Sequence, residues 1–271
     1  MSYLEKIGPR AWLRRNRDFT RFVLLGRSRT GSNLIRGLLS SRQDVRLYGE
    51  IFKNPDSIEW GFDHPCNDKR QLDLYRRDPV RFLLSEVWRA QPGGVRAVGF
   101  KLFYYHAQTS PRIKIWQMLR GLPELRVIHL TRRNILRTHL SRVLAARSDR
   151  WISTTAEPET AATVMLDETE CLEAFIQTRA WEDEARETFR NQRILEVQYE
   201  ELVSRQSEVM AEVQTFLGLE VQELRAQSYP QSRWPLHQVI VNYAELERRF
   251  RGTPWESFFE ESSPQPEDTS L

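Results

Sequence analysis

Hydrophobic positions along this chain fall into two alternating rhythms. Short stretches are apolar at almost every position or at every second one: 20–26, Val45-Arg46-Leu47-Tyr48, 95–103, 125–131 and 194–197. Their length and β-branched and aromatic content predict strands. Between them, apolar residues recur three or four apart, which predicts helices. Leu34, Ile35, Leu38 and Leu39 mark the first helix, with Ser32 or Asn33 as its cap. Others are predicted at 71–89 with a break at Asp78-Pro79, 111–119, 135–146, 168–190, 207–217 and 238–250. Strands that alternate with helices predict an α/β fold: a central, mostly parallel sheet covered on both faces, in a P-loop-type three-layer arrangement. Between these elements, 53–67 reads as an irregular excursion and Gln91-Pro92-Gly93-Gly94 as a turn. The polar segment 148–166 reads as a lid. Residues 1–18 form a basic lead-in, and the polar tail 262–271 is predicted to be disordered.

Composition narrows the classes of function. The chain has 271 residues, 40% hydrophobic and 28% charged, which suits one soluble domain spanning 1–271. No apolar stretch approaches the roughly 18 residues of a membrane-spanning helix, and no signal-peptide core is present near Met1. Cys66 and Cys171 have no metal-ligand spacing, so a reduced, cytoplasmic chain without a metal is expected. The net charge is only +3, but 35 arginines stand against five lysines. Arginine suits phosphate and sulfate recognition, though codon bias in a GC-rich genome is the reading for most of these; without a basic run the composition does not point to nucleic acid.

The chemistry concentrates in Phe22–Leu39, read as strand, glycine loop and helix. Such a loop presents backbone N–H groups to an anion at a helix N-terminus. Gly26 and Gly31 have the separation found in the GxxxxGK[ST] loop of nucleoside triphosphatases, but Ser32 stands where the lysine should be. The cation lies instead at Arg29, a poor match for magnesium-ATP chemistry.

Arg29-Thr30-Gly31-Ser32 resembles the 5′-phosphosulfate loop of sulfotransferases that use 3′-phosphoadenosine 5′-phosphosulfate (PAPS): Lys or Arg, then Ser or Thr, Gly, and Ser or Thr. A second signature agrees. That family places an arginine at the end of a core strand and a serine eight residues on; VIHLTRRNILRTHLS supplies Arg133 and Ser141. The resemblance is to bacterial carbohydrate sulfotransferases of the nodulation-factor and trehalose types. It implies that Arg29, Thr30, Gly31, Ser32 and Asn33 hold the 5′ side of PAPS, or of its product 3′-phosphoadenosine 5′-phosphate (PAP). Arg133 and Ser141 would hold the 3′-phosphate. Tyr199, in LEVQYEELV, would lie near the adenine.

The resemblance also assigns catalytic roles. Glu50, in LYGEIF, matches a glutamate of the bacterial enzymes and is expected to be the general base, its pKa raised by partial burial. His106 is the rival base, because related cytosolic enzymes use a histidine soon after a strand lysine. It follows Lys101 at a longer interval than theirs. Lys101 and Arg29 are expected to stabilise the transferring sulfonate. The acceptor would be a hydroxyl of a glycan, glycolipid or glycosylated small molecule, with Trp60, Tyr104, Tyr105, Trp151 and Trp234 available to stack on sugar rings. Relatives allow a homodimer. A kinase-like phosphotransferase and a catalytically inactive PAP-binding protein are the alternatives.

Overall fold

A computed structural model describes residues 15–61, 68–148, 163–225 and 234–260. They fall into two compact units. One holds the described residues up to Arg133 and those of Ala180–Pro230; the other holds those of Asn134–Arg179 and Gln231–Leu271.

The first unit is built on five strands: β1 (Thr20–Gly26), β2 (Val45–Tyr48), β3 (Ala97–Phe103), β4 (Arg126–Thr131) and β5 (Arg193–Gln198). All neighbours pair in parallel, in the order β2-β3-β1-β4-β5. The register brings Gly26 of β1 opposite Phe103 on one side and Leu130 on the other. Every residue of β3 is buried, as a central parallel strand requires.

Both faces of this sheet are covered. Val23, Leu25, Val98, Phe100, Leu102 and Val127 project to one face, against α2 (Lys69–Arg77), α3 (Pro79–Phe82), a π-turn (Leu83–Val87) and α4 (Lys114–Arg120). Phe22, Leu24, Ala97, Ile128 and Leu130 project to the other, against α1 (Ser32–Ser40) and a later pair of helices. The period-2 alternation along β1 therefore becomes the three layers directly, each buried large apolar side chain contributing about 1.5–3 kcal/mol. Helices α1 and α4 follow the adjacent strands β1 and β3 on opposite faces. This opens a crevice between the carboxyl ends of those strands, where open α/β sheets bind ligands.

In the second unit, α5 (Ile135–Ser148) starts at Asn134, whose Oδ1 accepts from the Arg137 N–H at 3.0 Å. Helix α6 (Glu168–Thr188) belongs to this unit as far as Arg179. Phe175 packs among Phe250, Trp255 and Phe258 in tilted and edge-to-face contacts.

Several boundaries differ from the sequence reading. The short α7 (Tyr199–Ser204) precedes α8 (Gln206–Phe216), where YEEL had no assigned helix. The helix expected over 238–250 is two, α9 (Leu236–Val239) and α10 (Tyr243–Phe250). Ile240 breaks it by adopting an extended backbone that pairs in parallel with Val164. Residues 111–113 form turns ahead of α4 rather than its first turn. Residues Gln91-Pro92 pair antiparallel with Arg15-Asn16. Most of the lead-in, most of the proposed lid, the tail, Cys66 and Trp151 lie outside the described residues. None of the helices among the described residues is long and apolar enough to cross a membrane.

Candidate active site

The glycine loop after β1 closes on itself. Thr30 is buried, and its Oγ1 donates to the Arg27 carbonyl at 2.7 Å. Neither Ser32 nor Asn33 caps α1. Gly31 takes the cap position at φ +92, and its carbonyl accepts the N–H groups of Leu34 and Ile35. Only glycine fits there: an added Cβ would lie 2.5 Å from the Tyr199 ring, in a conformation that L side chains rarely adopt. No acidic side chain occupies the first turn of α1, so its N-terminal dipole has no local carboxylate opposing it.

Cations gather around this loop. Arg29 itself has φ +70, an uncommon geometry for a side chain that is not glycine. Arg132 donates to the Arg29 carbonyl at 3.1 Å and lies 4.4 Å from the Tyr199 ring centroid, a cation–π distance. Burial and the neighbouring Arg132 push the Arg29 guanidinium below its ordinary pKa. Arg27 is buried over the Trp181 ring at 5.8 Å.

At the end of β4, Arg133 donates through Nη2 to Gln198 at 2.8 Å, and its backbone N–H donates to Glu200 at 3.0 Å. These contacts tie Arg133 to residues flanking Tyr199. Ser141 lies on α5 in the second unit and is partly buried.

Across the crevice stands Glu50, just past β2. Its segment is held close because Gly49 has no side chain; a Cβ there would lie 2.6 Å from the Glu59 carbonyl oxygen. Lys101, on β3 and 2% exposed, donates through Nζ to Glu50 Oε1 at 3.0 Å and to Asn33 Oδ1 at 2.9 Å. One buried ammonium thus joins the carboxylate to the first turn of α1. On the other oxygen, Oε2, His106 Nε2 lies at 3.8 Å and Lys53 Nζ at 3.9 Å.

This surrounding charge corrects one expectation. Burial does push the Glu50 carboxyl up, but Lys101, His106 and Lys53 outweigh it, and Glu50 ends below its ordinary value. Burial also pushes Lys101 down, against the pull of Glu50. His106 is pushed down to about 4, chiefly by burial and despite Glu50.

The residues assigned to sugar stacking divide. Trp60 packs against Tyr48 and Phe82, and Tyr104 is 4% exposed. The Tyr104 hydroxyl contacts His129 Nε2 at 2.7 Å; His129 Nδ1 in turn lies 2.9 Å from Glu196. These positions build the frame. Tyr105 and Trp234 are exposed at 40% and 37%. Tyr105 also bonds to Ser28 of the glycine loop.

Sequence reasoning did not assign roles to Arg132, Lys53, Gln198 or Glu200. The last two flank Tyr199 in QYEE, which was the available signal. Among the described residues no group of three or more His, Cys, Asp or Glu is placed to hold a metal ion.

Comparison with known proteins follows the same lines. The model described as "Sulfotransferase family" matches residues 22–223. Nodulation protein H of Rhizobium tropici is 28% identical over 256 residues, covering 90% of this chain and 96% of that protein. Nodulation protein H of Rhizobium meliloti is 28% identical over 245 residues, covering 88% and 94%. A sulfotransferase from Alicyclobacillus acidocaldarius of known crystal structure matches with a TM-score of 0.49 and 17% identity, over 88% of this chain and 93% of that one.

Proposed function

Because the chain belongs to the sulfotransferase family, we propose that it moves the sulfuryl group of PAPS to a hydroxyl of a carbohydrate or glycosylated small molecule, with Glu50 as general base. The observation that carries this reading is the chain of contacts Glu50–Lys101–Asn33. It joins a carboxylate to the N-terminus of α1, so the proton acceptor and the anion cradle are fixed relative to each other.

The residues fit the donor. The glycine loop, the open N-terminus of α1 and Arg29 are suited to the 5′-phosphosulfate. Repulsion between adjacent Arg29 and Arg132 would be relieved by a polyanion. Arg133 is assigned to the 3′-phosphate, and Tyr199, already packed on Gly31 and under Arg132, to the adenine side. Ser141 joins Arg133 on the sequence motif alone.

When bound, the donor supplies an activated sulfuryl group: the acceptor oxygen bonds to sulfur, the bond from sulfur to the 5′-phosphate breaks, its electron pair stays on that phosphate, and PAP leaves. The chain does the rest by position and charge. Glu50 takes the acceptor proton on Oε2, since Oε1 is engaged by Lys101 at 3.0 Å. Lys101 and Arg29 would stabilise the charge of the transferring group. Nothing in these roles calls for a metal.

Transfer of labelled sulfate from PAPS to a panel of monosaccharides, trehalose and lipid extracts tests the reading. Labelled sugar or glycolipid is the expected product. Glu50→Gln should keep nucleotide binding and lose about 10²- to 10⁴-fold in turnover, the usual contribution of a general base. Full turnover in that variant would move the base elsewhere, and transfer from ATP in place of PAPS would overturn the proposal.

A further inference from the structure

We infer that His106 is a positioning residue for Glu50: its Nε2–H faces one lone pair of carboxylate oxygen Oε2, leaves the other for the acceptor proton, and so orients the base without itself accepting the proton. The inference rests on the reading of Glu50 as base and adds the question of what aims it.

The backbone decides which nitrogen of His106 carries the proton. The Phe103 N–H donates to His106 Nδ1 at 3.2 Å, inside the buried turn after β3. That lone pair is occupied, so the neutral imidazole keeps its proton on Nε2. A base needs a vacant lone pair aimed at the substrate, and in this tautomer neither nitrogen offers one. Nε2 is buried, makes no hydrogen bond among the described residues, and has Glu50 Oε2 at 3.8 Å. That distance is too long for a formed hydrogen bond and is one that a small shift of Glu50 on binding closes.

The ring is also fixed in place. The His106 carbonyl accepts from Trp116 Nε1 at 2.8 Å, and the His106 N–H donates to the Phe103 carbonyl at 2.8 Å. Phe103 and Tyr105 pack on the ring at 4.9 and 5.1 Å. Turning the ring over would leave the Phe103 N–H buried and unpaired, which is unfavourable.

Charge around the ring points the same way. Glu50 faces it from the segment after β2, Lys53 from the following turn, Lys101 from β3 and Arg112 from the turn before α4. Burial first, and then the three cations, keep the imidazole uncharged down to about pH 4 against the opposing pull of the Glu50 carboxylate. At neutral pH it therefore offers Glu50 an N–H dipole rather than a charge.

Two amide substitutions separate the functions of the ring. Glutamine places an N–H donor where Nε2 stands; asparagine keeps an acceptor where Nδ1 stands. Sulfate transfer from labelled PAPS to glucose and trehalose should survive in His106→Gln within about tenfold, with the KM for PAPS unchanged. His106→Asn should lose about 100-fold in kcat, while the KM for PAPS stays constant. Loss of activity in both variants by about 10²- to 10⁴-fold would make His106 the base and overturn the proposal. Retention in Asn with loss in Gln would reduce His106 to a brace for the turn, which also overturns it.

A measurement independent of turnover accompanies these. Nitrogen-15 NMR of the whole chain should place the His106 proton on Nε2 at neutral pH, and that resonance should move in Glu50→Gln. A proton on Nδ1, or a resonance indifferent to Glu50, refutes the inference even in an active enzyme. An intact signature in a protein that transfers no sulfate would instead count against the proposed function alone.

Discussion

At Glu50 burial and charge oppose each other, and charge wins. The consequence is a specific pH dependence. A carboxyl held below its ordinary value of 4.5 stays ionised, and able to accept a proton, down through that value. The acid limb of kcat/KM is therefore expected below pH 4.5. The contribution to stability has the same sign: it is fully present above the unfolded pKa and disappears as pH falls through the folded one. Lys101 is the strongest of the opposing charges. Lys101→Met should let burial prevail and move the limb upward, as a pH–rate profile would show; an unmoved limb would mean that Lys101 does not tune Glu50. Gly31 is constrained as tightly. Gly31→Ala places a methyl group against Tyr199 at φ +92, so weaker PAP binding and a lower Tm are expected, to be read by calorimetry.

Individual residues were legible in the sequence to different degrees. Glu50 and Lys101 could be named from motif context, but not the sign of the Glu50 shift. That sign depends on His106 and Lys53, and on a salt bridge that pairs residues 51 positions apart. Asn33 was read as one of two candidate helix caps beside Ser32, and its side chain accepts from Lys101 instead, a contact across 68 positions that periodicity does not encode.

Among the elements, those with strong hydrophobic alternation agree with the sequence to within a residue or two. β1 and β2 occupy Thr20–Gly26 and Val45–Tyr48, as the run of apolar residues and its flanks indicated. The misplaced boundaries lie where tertiary contacts override local pattern: the pairing of Ile240 with Val164 divides one amphipathic helix into two. Ends of strands matter most for the site. Arg133 emerges at the carboxyl end of β4, held by Gln198 at the end of β5 and by Glu200 just beyond it. Arg133→Ala should weaken PAP by about 1.5–3 kcal/mol, the range for hydrogen bonds to charged groups, and barely affect a nucleotide lacking the 3′-phosphate. Equal losses for both nucleotides would remove Arg133 from that role.

For the molecule as a whole, strand order determines where chemistry gathers. With β3 inserted between β1 and β2, the glycine loop, Lys101 and Glu50 converge at one edge of a single sheet. The alternation of strands and helices implied a parallel sheet, but not this order, because order depends on pairings that leave no periodic trace. The division into two compact units was also not legible, since α6 runs through the boundary at Arg179 without any break in its helical pattern. The glycine loop without its lysine predicts a donor other than a magnesium-bound triphosphate. Isothermal titration with PAP and with ATP, each in the presence of a chelator, tests that most directly. PAP should bind without magnesium and at least about tenfold more tightly than ATP, a difference of roughly 1.4 kcal/mol. Equal or tighter binding of ATP, or a requirement for magnesium, would contradict it.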